Sequence, residues 1–194
     1  MKATGIVLAA GASQRMGSPK SLLAGPDGIP LAVKQADILK TGGCSSVAVV
    51  LGSGAELIRA QLSEELLTVE NPRWEEGRAT SLQAAAAELP RTDGWLYMPV
   101  DAVGIQVRTI RMIWQGIAQD PTLIWRPVYH GAKGNLLWMP RKMRRELMQL
   151  PPDARVDEWV RPYANEIEVD DPSILRNVNT PEDWKAWLQE LLSH

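Results

Sequence analysis

Residues 4–20 read Thr4-Gly5-Ile6-Val7-Leu8-Ala9-Ala10-Gly11-Ala12-Ser13-Gln14-Arg15-Met16-Gly17-Ser18-Pro19-Lys20. The stretch Thr4–Ala9 is almost continuously apolar rather than alternating, which is the pattern of a strand buried on both faces. After it the chain turns to small residues and glycine, and ends on two cations. Gly11 and Gly17 admit backbone conformations and close approaches that a Cβ would forbid. Small neighbours around Gly11 leave backbone N–H groups free to meet a phosphate or a base. Arg15 then supplies a forked charge and Lys20 a point charge, both suited to a polyphosphate. A plain connection with two solvated cations would not need so many small residues. The spacing matches neither standard phosphate loop. A P-loop needs Gly-Lys-Ser/Thr opening a helix, whereas Lys20 follows Pro19, and a dinucleotide fingerprint needs a third glycine that is absent here.

Working outward, short apolar runs alternate with longer amphipathic ones. Ser46–Leu51 repeats the buried-strand pattern, and Leu66–Glu70 and Gly94–Val100 follow it; Thr122–Tyr129 and Asn135–Met139 read as strands flanking a turn at Gly131–Gly134, with a short strand at Ile167–Val169. Helices are expected over Pro30–Thr41, Gly54–Leu62, Ala79–Leu89, Gln106–Ala118, Arg141–Leu150 and Arg155–Arg161. Thr180-Pro181-Glu182-Asp183 combines a cap, a first-turn proline and an acidic first turn, and opens a helix to Leu192. Thr80 and Ser81 likewise read as caps of their helix. Such alternation implies a three-layer α/β/α fold around a mostly parallel, Rossmann-like sheet, whose ligands lie at the carboxyl ends of the strands.

The 194 residues suit one domain, and 45% hydrophobic against 23% charged residues supports a packed core rather than disorder. A net charge of −2 gives no basic field for nucleic acid, and Arg141, Lys142, Arg144 and Arg145 read as a solvated helix face. One cysteine, Cys44, excludes an intrachain disulfide and a Cys-rich zinc site, and two histidines leave little for His ligation. The apolar run Gly5–Ala12 is too short to span a membrane and carries no cleavage-like site, so a cytoplasmic protein with no membrane partner is expected. Trp159, Trp184 and Trp187 are spaced as core or interface anchors.

Leu8–Lys20 closely resembles the signature LxAGxSxRMGxPK of the MobA-like nucleotidyltransferases, with Ala10, Gly11, Ser13, Arg15, Met16, Gly17, Pro19 and Lys20 all in place. The Ala-Ala-Gly form followed by Pro19-Lys20 is most similar to the molybdenum cofactor cytidylyltransferases. The resemblance implies a fold of the nucleotide-diphospho-sugar transferase type. It also implies Mg²⁺-dependent transfer of a nucleotidyl group, CMP from CTP, onto a phosphorylated small acceptor such as molybdopterin, with a molybdoenzyme as client. Leu8, Ala9, Ala10, Gly11, Ser13, Arg15 and Lys20 would then bind the nucleotide. So would Asn71, Gly77 and Ser81, because Asn71–Leu82 resembles the family segment Asn-x-x-Trp-x-x-Gly-x-x-x-Ser-Leu. A sibling enzyme acting on a sugar or alditol phosphate or using GTP, and a non-catalytic nucleotide-binding relative, are the alternatives.

Asp101 follows a strand with no other charge from Gly94 onward, and by the same resemblance it would hold Mg²⁺ and act with Arg15 and Lys20 in catalysis. One acid suffices where phosphates and water complete the shell. The family continues with a polar residue and proline, but this chain has Ala102-Val103-Gly104. A second ligand is expected near Asn177-Val178-Asn179, where cytidylyltransferases carry Asp-x-Asp and the Asn-x-Asn form resembles the guanylyltransferases. The first loop, which would touch the base, is given more weight. By the same resemblance Gly131, Lys133, Asn135 and Arg155 would face the acceptor: Gly131 and Gly134 match the family segment, Asn135-Leu136 replaces its His-Pro, Lys133 could meet an acceptor phosphate, and Asp153-Ala154-Arg155 matches the family's acceptor loop weakly. His130 has no partner in sequence that makes a triad or a metal pair.

Overall fold

The computed structural model describes residues 1–193. Strand β1 (Ala3–Ala9) forms as its apolar run predicts, and Leu31–Gly42 follows as α1, with Gly43 at its C-terminal end in the left-handed region. Strand β2 (Ser46–Leu51), the short α2 (Ala55–Arg59), β3 (Leu67–Glu70) and α3 (Arg78–Glu88) come next. They lead to β4 (Gly94–Pro99) and α4 (Val107–Gln119). The second half holds β5 (Ile124–Tyr129), β6 (Ala132–Lys133), β7 (Leu137–Pro140), α5 (Arg144–Gln149), α6 (Val156–Val160), β8 (Ala164–Glu168) and α7 (Pro181–Leu192).

The strands form one sheet in the order β3-β2-β1-β4-β7-β5-β6, with β8 paired to β5. β1 pairs in parallel with β2 on one side and β4 on the other, and β2 with β3. β7 is antiparallel to both β4 and β5, whereas β8 is parallel to β5. All strands except β6 and β7 therefore share one direction. Side chains alternate across the sheet as the pleat requires. Val7, Leu96 and Met98 pack with Leu39, Ile110 and Ile113 of α1 and α4. Ile6, Trp95 and Tyr97 pack on the opposite face with Leu82 and Ala85 of α3 and with Leu147 and Val160 of α5 and α6.

Three sequence expectations need correction. The Arg141–Leu150 helix is interrupted, with a 3₁₀ turn at Arg141–Met143 before α5. The turn expected at Gly131–Gly134 lies one residue earlier, because His130 (φ 47°) and Gly131 (φ 76°) both take the left-handed backbone of a tight hairpin. Lys133 and Ala132 then pair back onto Val128 and Tyr129. The strand placed at Ile167–Val169 begins earlier, at Ala164. Elsewhere the reading holds in outline, with ends shifted by a residue or a few. Cys44 is buried, and burial pushes its thiol up to about 12, so it behaves as a small apolar residue. Trp184 and Trp187 pack against the α1/α4 core and Trp159 against the other.

Candidate active site

β1 sits between β2 and β4, so the chain crosses from one side of it to the other, and ligands of such sheets bind beyond the carboxyl ends of the strands at that crossing. Leu8 is level with Pro99 in that pairing, and the Val100 amide donates to the Leu8 carbonyl at 3.0 Å. The register therefore delivers Ala10 and Asp101 side by side at the carboxyl edge. The loop after β1 curls over this edge. Ser13 takes φ 53° and its carbonyl accepts from the amides of Met16 (2.9 Å) and Gly17 (3.2 Å), while the Met16 side chain is buried as the loop's anchor. Ser13 Oγ accepts from the Lys20 amide at 3.1 Å, which fixes where Lys20 starts.

The result is a cleft of about 660 Å³. Its walls include every loop residue from Leu8 to Arg15, together with Lys20, Gly77, Ser81, Asp101, Asn135, Asn177 and Asn179. Lys20 Nζ reaches Asp101 Oδ2 at 2.7 Å and Asn179 Oδ1 at 2.9 Å, and Arg15 donates to the same Asn179 oxygen at 3.3 Å. Residues 159 positions apart meet because the segment before α7 is stitched to the end of β4. Asn177 forms an antiparallel bridge with Ala102, and the Val178 amide donates to the Asp101 carbonyl at 3.0 Å. The departure at Ala102-Val103-Gly104 has a packing reason: Ala102 and Val103 are core residues, and a Cβ on Gly104 (φ 85°) would lie 3.0 Å from the Trp187 ring.

Two supporting residues were not legible as such. Gln35 of α1 is buried, and its amide donates to the carbonyls of Ala102 and Val100 on either side of Asp101. Arg78 adds a third cation to the cleft walls, against the single acid Asp101. A polar side chain on the apolar face of α1 was the available signal for Gln35. Arg78 had none.

Some expected residues stand elsewhere. Asn71 is buried behind the wall, donating to Thr80 Oγ1 (2.8 Å) and Ser81 Oγ (3.0 Å), so it braces Ser81 from outside the cleft. Thr80 and Ser81 are not caps. Gly77 holds the cap position of α3 without a side-chain bond, and Thr80 Oγ1 instead donates to the carbonyls of Gly77 and Arg73. Of the acceptor-side set only Asn135 lines the cleft, held by two bonds to the Ile174 carbonyl. Gly131 is at the hairpin tip, Lys133 pairs with Glu166 at 3.2 Å, and Arg155 pairs with Glu158 at 2.8 Å while 79% exposed. Neither cation belongs to the cleft walls, because each is satisfied by a carboxylate on its own side of the fold.

The donor set suits a hard divalent cation in part. Asp101, Asn177 and Asn179 offer only oxygens, as Mg²⁺ prefers. Among the described residues no group of three or more His, Cys, Asp or Glu side chains could hold a metal by itself. A cation here must take much of its shell from phosphate and water.

At the cleft's edge the α7 cap links this segment to pH. Asp183 accepts from the amides of Asn179 and Thr180, both at 2.9 Å, and these bonds hold its carboxyl below the ordinary aspartate value. A lowered folded value means the stabilisation is complete above the unfolded aspartate pKa and fades as pH falls through the folded one. The carbon-13 carboxyl signal of Asp183 should therefore titrate below that of a free aspartate, with the Asn179 amide shifting in step; a midpoint at or above the ordinary value would contradict the bonding.

A cleft at the strand ends, walled by a small-residue loop and by three cations and one carboxylate, lies where an α/β sheet binds its ligands. The model of the MobA-like NTP transferase domain matches residues 5–168, and the chain belongs to that family. The crystal structure of Rv0371c from Mycobacterium tuberculosis is similar, with 28% identity, a TM-score of 0.82 and coverage of 97% of this chain and 99% of that one. A manganese complex of Rv0371c aligns at 26% identity with a TM-score of 0.78, over 97% of this chain and 99% of that one. Nicotine blue oxidoreductase of Paenarthrobacter nicotinovorans is 36% identical over 109 residues, which is 55% of this chain and 53% of the relative's length. The fold is shared with molybdopterin-guanine dinucleotide biosynthesis protein A of Archaeoglobus fulgidus, at 14% identity and a TM-score of 0.75 over 98% of each chain. Among the described residues no helix is long and apolar enough to cross a membrane.

Proposed function

We propose that this chain transfers a nucleoside monophosphate, CMP from CTP, to the phosphate of a small acceptor such as molybdopterin, releasing pyrophosphate. In this reading residues 1–194 form one nucleotidyltransferase domain working in the cytoplasm. The observation that carries it is Lys20 meeting Asp101 at 2.7 Å and Asn179 at 2.9 Å beside Arg15, at the edge of the small-residue first loop. The preference for CTP rests on the Ala-Ala-Gly form of that loop, which would face the base.

The nucleotide lies along Leu8–Ser13, whose backbone amides meet it, with Gly77 and Ser81 on the opposite wall. An acceptor phosphate oxygen bonds to the α-phosphorus as the bond from that phosphorus to the bridging oxygen breaks, and the electron pair leaves with pyrophosphate. Arg15 and Lys20 neutralise the charge growing on the leaving group, Lys20 exchanging its contact with Asp101 for a phosphate oxygen. Asp101, Asn177 and Asn179 would hold Mg²⁺, which when bound supplies further charge neutralisation to the phosphates. The manganese complex of Rv0371c supports a divalent cation. No protein nucleophile is required, so catalysis is positioning and electrostatics.

The test is thermal unfolding with CTP, GTP, ATP and UTP, each with and without Mg²⁺, alongside pyrophosphate release. At a hundredfold excess over Kd a ligand stabilises by about 2.7 kcal/mol, and CTP with Mg²⁺ should do so selectively. Preference for another nucleotide would favour a sibling transferase acting on a sugar or alditol phosphate. The 36% identity to nicotine blue oxidoreductase favours one further reading, a redox role for the same cleft. That reading expects stabilisation by a reduced nicotinamide dinucleotide and no pyrophosphate.

A further inference from the structure

Arg126 is a charged residue in the middle of β5, only 8% exposed, on the face packed against α3 and α6. Burying a guanidinium is costly unless its donors are matched. Here Nη2 alone finds partners, the Gly134 carbonyl at 3.0 Å and Asp157 Oδ1 at 3.3 Å, while the buried Nε has none. The one compensating carboxylate is a poor match, since the Asp157 side chain is 61% exposed and its charge is screened by water. Asp157 is also shared, because its other oxygen lies 3.9 Å from Arg78. Two guanidinium groups thus divide one solvated carboxylate, and positive charge is in excess.

This cluster adjoins the cleft. Arg78 is in its wall, at the first residue of α3, where uncapped backbone amides add positive potential. Asn135, the residue after Gly134, is in the wall as well. Arg78 joins the cluster to the cleft wall at the start of α3, apart from the first loop that carries Arg15 and Lys20, and under the nucleotidyl-transfer reading, on which that label rests, we assign this part to the acceptor.

We propose that Arg78 and Arg126 form an anion subsite at the acceptor end of the cleft, in which Asp157 holds the place of a carboxylate or phosphate group carried by the acceptor. The incoming anion pairs with both guanidinium groups, whose forked donors fit either group, and Asp157 swings into solvent. The acceptor would then bear an anionic group besides the one that attacks. The subsite takes over the task expected of Lys133 and Arg155, both already paired elsewhere.

Titration of the intact protein with inorganic phosphate and, separately, malonate tests this at constant ionic strength. The readout is the Nε–Hε signals of Arg78 and Arg126 in proton–nitrogen spectra. Arg15 gives its own signal, so binding at the nucleotide end is followed separately. Arg78 and Arg126 should shift saturably with one common Kd, and whichever anion binds more tightly identifies the group. Arg78→Ala, at an exposed position, should weaken binding at least tenfold. Asp157→Asn removes the competing charge and should tighten binding severalfold, a gain that no loss of folding can imitate. Unsaturable shifts with both anions, or binding unchanged or weakened in Asp157→Asn, would overturn the proposal. Failure of nucleotidyl transfer would appear instead as absent pyrophosphate and would leave these titrations unaltered.

Discussion

Asp101→Ala and Lys20→Ala are each expected to cut pyrophosphate release by about 10²–10³-fold, the range for removing one preorganised electrostatic group from an active site. The pair lies at the ends of loops, with the Asp101 side chain 22% and the Lys20 side chain 13% exposed, and neither belongs to the hydrophobic core. Unfolding temperature and circular dichroism should therefore stay near wild type. Because the two side chains touch, their effects should not add: the double variant should lose less than the product of the single losses. Wild-type turnover in either single variant would sink the assignment of this cluster to catalysis.

Gly77→Ala is expected to destabilise the protein by about 3 kcal/mol or more, combining a glycine-only backbone with a direct overlap. Gly77 has φ 143° and ψ 167°, and a Cβ there would lie 2.2 Å from the Pro152 carbonyl oxygen. For a chain of this size the unfolding temperature should fall by about 6–12 °C. Relief by backbone movement would shift Arg78 and Ser81, so nucleotide affinity should drop together with stability. The family resemblance places this glycine against the nucleotide, whereas the packing explains it by the Pro152 carbonyl. An unchanged unfolding temperature with lost nucleotide binding would select the first account.

Much of this was legible locally. The buried run Thr4–Ala9 and the Thr180–Asp183 cap depend on residues within a few positions of one another, and each formed as its local pattern implied. Ends drifted where two local preferences competed, as at Arg141–Met143, where a 3₁₀ turn precedes α5. Thr80 was misread because its hydroxyl suits both a cap and a bond back to a carbonyl, and only the position of Gly77 decided between them. Arg155 and Lys133 stand outside the cleft walls for a different reason. A cation in a motif-like stretch goes to the nearest carboxylate, and which carboxylate is near is not a property of the stretch.

By itself the sequence determined the alternation of strands and helices and singled out the first loop, Arg15, Lys20 and Asp101 as candidates, since all of these rest on periodicity and on chemistry confined to short segments. Tertiary structure alone decided that β7 inserts between β4 and β5, that Asn179 joins Lys20 across 159 residues, that Gln35 braces the carbonyls around Asp101, and that Arg126 and Arg78 share Asp157. The physical reason is common to all four: hydrogen bonds and ion pairs act over a few ångströms, and only the packed sheet brings such distant residues that close.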